Sequence, residues 1–195
     1  MSKKEDRRIR KSKQSIERAI IELIDEKGFE DIGVNDIAER ADISRGTFYL
    51  HYQDKFELFE RLVDKILNEL ISAIELSNDK SRNGTMDKER YIRYFEHFQK
   101  HSRFYKAMFS YKGEAYFYNR FIDVLKKHFY HEIKELKISE EQLKVDKDFL
   151  IHFTVYAYFG VVKYWLSNDM SDSAESMGEQ LNTLLCSFSR NIYSE

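Results

Sequence analysis

The sequence predicts an all-α protein, and three observations carry that prediction. There is no proline and there are seven glycines in 195 residues, where average usage of ~5% and ~7% would give about ten and about fourteen. Turns between strands draw on those two residues, so a multi-stranded sheet is effectively excluded. Apolar residues also recur at three- and four-residue spacing through most of the chain. The composition, 42% apolar and 34% charged, suffices for a buried core. At ~100–200 residues per domain, the length allows one large domain or a small one joined to a medium one.

Ile16, Ala19, Ile20, Leu23 and Ile24 lie on one helical face, and Gly28 follows as a stop. Val34, Ile37, Ala38 and Ala41 repeat the pattern in a helix of barely two turns. Asp42-Ile43-Ser44 break it, because Asp tolerates the left-handed conformation and Ser44 can cap the next helix, Arg45 to His51. Asp54 and Glu57 form a cap for a long helix that carries Leu58, Leu62, Ile66, Leu70 and Ile74 to about Leu76. The polar segment from Ser77 to Asp87 reads as a linker, with Asn83-Gly84 as a turn. Beyond it, helices are expected near 88–101, 103–110, 114–136, 146–167 and 173–193. Of 29 aromatic residues, six precede residue 86 and 23 follow it.

The formal charge of −2 conceals an asymmetry: residues 1–18 carry +5 and the other 177 carry −7. A basic arm on an acidic body suits contact with a polyanion at one end only. The longest run without Lys, Arg, Asp or Glu, Phe149 to Val162, has fourteen residues, short of the ~20 that a spanning helix takes. The amino terminus has no apolar run and is not a secretory signal. The single cysteine, Cys186, can form no internal disulfide and reads as a small core residue. The expectation is a cytoplasmic protein.

Two short helices joined by a three-residue turn and flanked by longer ones describe a helix-turn-helix. Gly28-Phe29, Val34, Ile37-Ala38, Ala41, Ile43-Ser44, Gly46-Thr47, Tyr49, Lys55 and Leu58 fall in one register over thirty residues. This pattern, over about residues 8–60, resembles the DNA-binding domain of the tetracycline-repressor (TetR/AcrR) family of bacterial transcription regulators. The resemblance implies that helix 45–51 is the recognition helix. It places Arg45 and Thr47 at bases, where an Arg can pair with both acceptors of a guanine. Tyr49 and Lys55 fall on phosphates, and His51 is left facing outward. Gly46 leaves the front of the recognition helix bare. Gly33 stands where the family usually has a capping Ser or Thr, so only its backbone N–H is available for a phosphate. Asn35, one position inside that helix, is a base contact by the same analogy.

The resemblance divides the chain into a helix-turn-helix domain, 1–54 with a basic arm at 1–15, and an effector-binding and dimerisation domain, 55–195, opened by a connecting helix 55–76. Helix 146–167 is apolar on nearly every side and so requires neighbours all round. With helix 173–193 it is expected to pair with its copy in a homodimer, consistent with two reading heads for a two-fold operator. Phe98, Tyr105, Phe109, Phe121, Tyr156 and Phe159 are candidate walls of an effector pocket for an apolar or aromatic small molecule, with plain core packing as the bland alternative.

An enzyme has no motif to stand on. None of the six histidines has Glu three residues before it, as a di-iron bundle requires. No two glycines lie two apart, which excludes a Gly-x-Gly phosphate loop and a Gly-x-Ser-x-Gly elbow. No catalytic residue, metal ligand or cofactor is therefore assigned. His97/His101 and His128/His131 have helical ligand spacing, so a metal-sensing regulator is the nearest alternative. The function expected is a dimeric transcriptional regulator, a repressor, acting on double-stranded DNA.

Overall fold

The computed structural model describes residues 3–75, 88–110, 115–135 and 143–192. The linker 77–87 and its Asn83-Gly84 turn lie outside them. The regular elements are helices α1 (Lys3–Lys27), α2 (Val34–Arg40), α3 (Arg45–Tyr49), α4 (Lys55–Glu75), α5 (Lys88–Lys100), α6 (Ser102–Phe109), α7 (Ala115–Glu135), α8 (Lys147–Ser167) and α9 (Ala174–Ile192). The basic arm is the start of α1 rather than a tail, since the helix runs unbroken from Lys3. Two compact units result, residues 1–66 with 103–118, and residues 67–102 with 119–195.

In the first unit, Ile20, Ile24, Ile37 and Phe48 are fully buried, which joins α1, α2 and α3 in one core. The turn between α2 and α3 closes around Asp42 at φ 54°. There the Ile43 N–H donates to the Ala38 carbonyl (3.0 Å) and the Asp42 N–H to that of Glu39 (3.1 Å). That bond pair ends a helix on a left-handed residue. Ser44 Oγ then accepts from the Thr47 N–H at 3.1 Å and starts α3. Asp54 caps α4 by accepting from the Glu57 N–H at 2.8 Å, and the Glu57 carboxylate accepts from the Gln53 N–H at 2.6 Å.

Ion pairs bind the rim of this unit. The buried Glu17 carboxylate accepts from Lys65 Nζ (2.8 Å) and the Tyr52 hydroxyl (3.5 Å), linking α1 to α4. Arg40 grips Glu26 with two N–H groups at 2.7 Å each. Arg103 of α6 donates to Glu22 of α1 at 2.9 Å, and the rings of Phe104, Tyr105, Phe109 and Phe117 pack together. The sequence reading placed α6 in the second domain; by packing it belongs to the first unit.

In the second unit, α5 and α9 approach closely at Gly178, where an added Cβ would lie 2.7 Å from the Ile92 backbone nitrogen. Ile151, Val155, Tyr158, Val162, Trp165 and Leu166 of α8 are buried. The expected burial all round does not hold in the single chain. Phe149, Phe153, Tyr156 and Tyr164 are 65%, 49%, 46% and 67% exposed, because α5 and α7 rings cover one side only. At 21 residues, α8 is by length and composition able to cross a membrane, so the fourteen-residue uncharged run understated it. The indole N–H of Trp165 donates to the Asp172 carbonyl at 2.9 Å and ties down the turn into α9. Cys186 is half-buried, with its thiol 3.7 Å from Asn182 Oδ1.

The crossing at Gly178 sets a test of this packing. Gly178→Ala should destabilise the fold by ~1–3 kcal/mol in urea denaturation, since backbone rather than a movable side chain is in the way. Unchanged stability would mean that α5 and α9 can separate without loss.

Candidate nucleic-acid interface

The candidate interface is built on α3, five residues long and held from behind by Phe48. A helix this short has little stability of its own. Its orientation comes from the Ser44 cap, the Asp42 turn and the buried Phe48 ring. With Phe48 inward, Arg45, Gly46 and Tyr49 are exposed and Thr47 is half-exposed. The Arg45 guanidinium donates to the Tyr49 hydroxyl at 3.4 Å and sits over its ring, 5.9 Å from the centroid. A cation over an aromatic face is weakly held when exposed, so Arg45 can leave it for a better acceptor. Gly46 is open: an added Cβ would meet only Ser44 Oγ, at 3.7 Å. The Thr47 hydroxyl is 3.0 Å from that of Ser44. Asn35 is exposed on the first turn of α2.

Three residues sit differently from their sequence reading. Lys55 Nζ donates to the carbonyls of Phe29 (3.0 Å) and Glu30 (2.9 Å) and lies 4.7 Å from the Phe29 ring centroid. A cation at a helix amino end is opposed by the dipole; the two carbonyls and the ring offset that. Of its three N–H groups, one remains for a phosphate oxygen. His51 does not face outward. It is half-buried with Nε2 2.7 Å from Ser12 Oγ, and burial, then Lys13, lowers its pKa. Ser12 Oγ also lies 3.1 and 3.0 Å from the Arg8 and Ile9 carbonyls of its own helix. The Gly33 N–H is already donated to Asp36 Oδ2 at 2.7 Å, which removes the one group the sequence reading left for a phosphate. Asp36 is held below the usual carboxylate range by that bond and by Lys27 at 3.0 Å.

The candidate effector residues divide between the units. Phe98, Phe121 and Phe159 form a chain in the second, with centroids 6.2 and 6.0 Å apart. Tyr105 and Phe109 stack on each other in the first, at 5.7 Å. Tyr156 stands apart, 46% exposed on the open side of α8, because the α8 repeat turns it away from buried Tyr158. Among the described residues, no three His, Cys, Asp or Glu side chains are grouped to hold a metal. His97 stacks on His101 with centroids 4.6 Å apart, and burial drives its pKa down to about 3. His101 bonds Glu69 at 3.0 Å, while buried His128 is 3.0 Å from Arg90 Nη2 and His131 is exposed.

Sequence reasoning missed Ser12 and the structural duty of Lys55. The signals were weak, because each partner lies 25 or more positions away.

Comparison with known proteins places this geometry. Residues 16–62 match the family described as bacterial regulatory proteins, tetR family, and residues 88–187 match a transcriptional regulator C-terminal region. An uncharacterised HTH-type transcriptional regulator of Bacillus subtilis, YxbF, is 24% identical over 170 residues, which are 85% of this chain and 42% of that protein. The chain thus spans about two fifths of the length of the curated relatives it matches. A TetR transcriptional regulator from Streptococcus agalactiae is similar in structure at TM-score 0.63 and 25% identity, over 92% of this chain and 96% of that one. The regulator FadR from Bacillus subtilis, solved with stearoyl-CoA, shares the fold at TM-score 0.58 and 19% identity, over 88% and 96%.

The duty of Lys55 can be measured without DNA. Lys55→Met should destabilise the fold by ~1.5–3 kcal/mol in urea denaturation, as expected for hydrogen bonds from a charged group. Arg45→Met, which loses only an exposed contact, should stay within ~0.5 kcal/mol of wild type. Equal stability for both variants would release Lys55 from this role.

Proposed function

This chain belongs to the tetR family of bacterial regulatory proteins, and on that premise we propose that it is a sequence-specific DNA-binding transcriptional repressor, a dimer whose hold on a two-fold operator is tuned by a small molecule. The observation that carries the reading is the exposed side of α3. Arg45, Gly46, Thr47 and Tyr49 are presented there while Phe48 fastens the helix from behind. In this reading residues 1–54, with Lys55 at the start of the connecting helix, meet DNA, and the rest of 55–195 binds the effector and the second subunit. Arg45, Thr47 and Asn35 reach base edges. Tyr49 and the remaining N–H of Lys55 meet phosphates. His51 acts at one remove, through its bond to α1.

The dimer rests on the open apolar side of α8, Phe149, Phe153, Tyr156 and Tyr164, with Leu184 of α9, 65% exposed. So many exposed aromatic side chains mark a surface that binds something. A membrane is the weaker occupant, because exposed Lys163 lies on the same helix and its other side is committed to the second unit. An apolar or aromatic effector fits a second unit rich in rings, and the likeness in fold to a regulator solved with stearoyl-CoA is in keeping with it.

Selection from a random DNA pool, followed by binding at two salt concentrations, tests the DNA reading. Enrichment of a two-fold site is expected. Arg45→Ala should then lose ~1–3 kcal/mol per half-site on that DNA and relax preference at one base pair. Lys55→Ala should weaken cognate and scrambled DNA about equally and reduce the salt slope by ~1 per lost contact. An unchanged cognate-to-scrambled ratio for Arg45→Ala would move base reading to Thr47 or Asn35.

The dimer has its own test. Leu184→Asp should give monomers in sedimentation without detergent, since it places an unpaired charge in an apolar contact. An unchanged dimer would put the interface elsewhere.

A further inference from the structure

Among its described residues the second unit holds three deeply buried tyrosines, and their hydroxyls are treated differently. Those of Tyr91 and Tyr158 are hydrogen-bonded to each other. That of Tyr94, on α5, has no hydrogen-bond partner among the described residues although the residue is 1% exposed. Its ring is enclosed by Phe95, Phe98 and Tyr158, with centroids 5.4, 4.8 and 5.3 Å away. A Phe at this position would keep those ring contacts and shed the unpaired group, which is expensive to bury. The hydroxyl is therefore a feature the resting fold does not use.

We propose that the Tyr94 hydroxyl is the polar anchor for an uncharged, ring-sized ligand bearing a carbonyl-type acceptor, taken into the aromatic cluster between α5, α7 and α8. This deepens the effector-binding reading of the second unit and rests on it. The ligand class follows from the surroundings. Burial raises the Tyr94 phenol. The group stays protonated and donates, so the complementary ligand atom is an acceptor. Arg90, the cation that acts on neighbouring Tyr91 and Tyr158, is already paired with Glu132, so a carboxylate brought there would be buried without a free partner. The walls are rings in edge-to-face contact from Phe98 to Phe121 and from Tyr158 to Phe129, and in tilted contact from Phe121 to Phe159. Flat ligands can replace such contacts in kind.

The test compares two near-isosteres, 2-acetylnaphthalene and 2-isopropenylnaphthalene, with 2-naphthoate as the charged control. Each is measured by equilibrium dialysis against the full-length wild type and Tyr94→Phe. The expected result is that Tyr94→Phe weakens the ketone about three- to tenfold, the range of one neutral hydrogen bond, and leaves the hydrocarbon unchanged. Naphthoate should bind more weakly than the ketone. Without ligand, Tyr94→Phe should melt about 2–4 °C higher, because an unpaired buried hydroxyl is gone. A lower Tm would show that the hydroxyl already has a partner and would overturn the proposal. If both neutral compounds bind and Tyr94→Phe treats them alike, the Tyr94 assignment falls while the effector reading stands. If neither binds wild type, the aromatic effector reading falls, and the proposal with it.

Discussion

The handedness of the backbone at Asp42 is the constraint on which the reading head depends. A helix ended by a left-handed residue turns sharply, and here the turn takes three residues between α2 and α3. Asp carries that conformation at a lower penalty than most residues with a Cβ. With the turn set, Ser44 can cap α3 and Phe48 can reach the core shared with Ile20 and Ile37. Arg45 and Tyr49 are outward because Phe48 is inward; a five-residue helix has no independent means of choosing its face.

Polar groups in this unit divide between holding the fold and meeting a partner, and some do both. Lys55 is the clearest case. Its ammonium stitches the chain between α1 and α2 to the start of α4 through two carbonyls, against the dipole of its own helix. Lys55 thereby sets where its last N–H points. Arg40 and Lys65 are spent on carboxylates of α1, at Glu26 and Glu17. Arg45, by contrast, is engaged among the described residues by an exposed tyrosine. Binding a base edge therefore displaces little, which is the physical distinction between a reading residue and a structural one.

The second unit turns on how apolar surface is shared. Helix α8 is apolar on nearly every side, yet α5 and α7 cover only the half that carries Val155, Tyr158 and Trp165. The rest, from Phe149 to Tyr164, is exposed in the single chain. Gly178 lets α5 and α9 approach to backbone contact. Tyr94, also on α5, is sealed among the rings of Phe95, Phe98 and Tyr158 with a hydroxyl that no described residue satisfies. Dense aromatic packing and an unsatisfied donor are at odds energetically, which makes this position informative.

Sequence alone determined what depends on neighbours a few positions away. Helical spacing, the Ser44 and Asp54 caps, the left-handed Asp42 and the outward set Arg45, Thr47 and Tyr49 were all legible, because a helix repeats every 3.6 residues. Their register over thirty residues also carried the family, which the matches over 16–62 and 88–187 confirm. Tertiary structure decided what depends on partners far along the chain. His51 turns to Ser12 39 positions away, and α6 joins the first unit through Arg103 and Glu22, 81 apart. Tyr156 and Tyr158 are chemically alike and two residues apart, yet one is exposed and the other buried. Local pattern sets which face of a helix a side chain occupies, but only the packed fold settles what lies against that face.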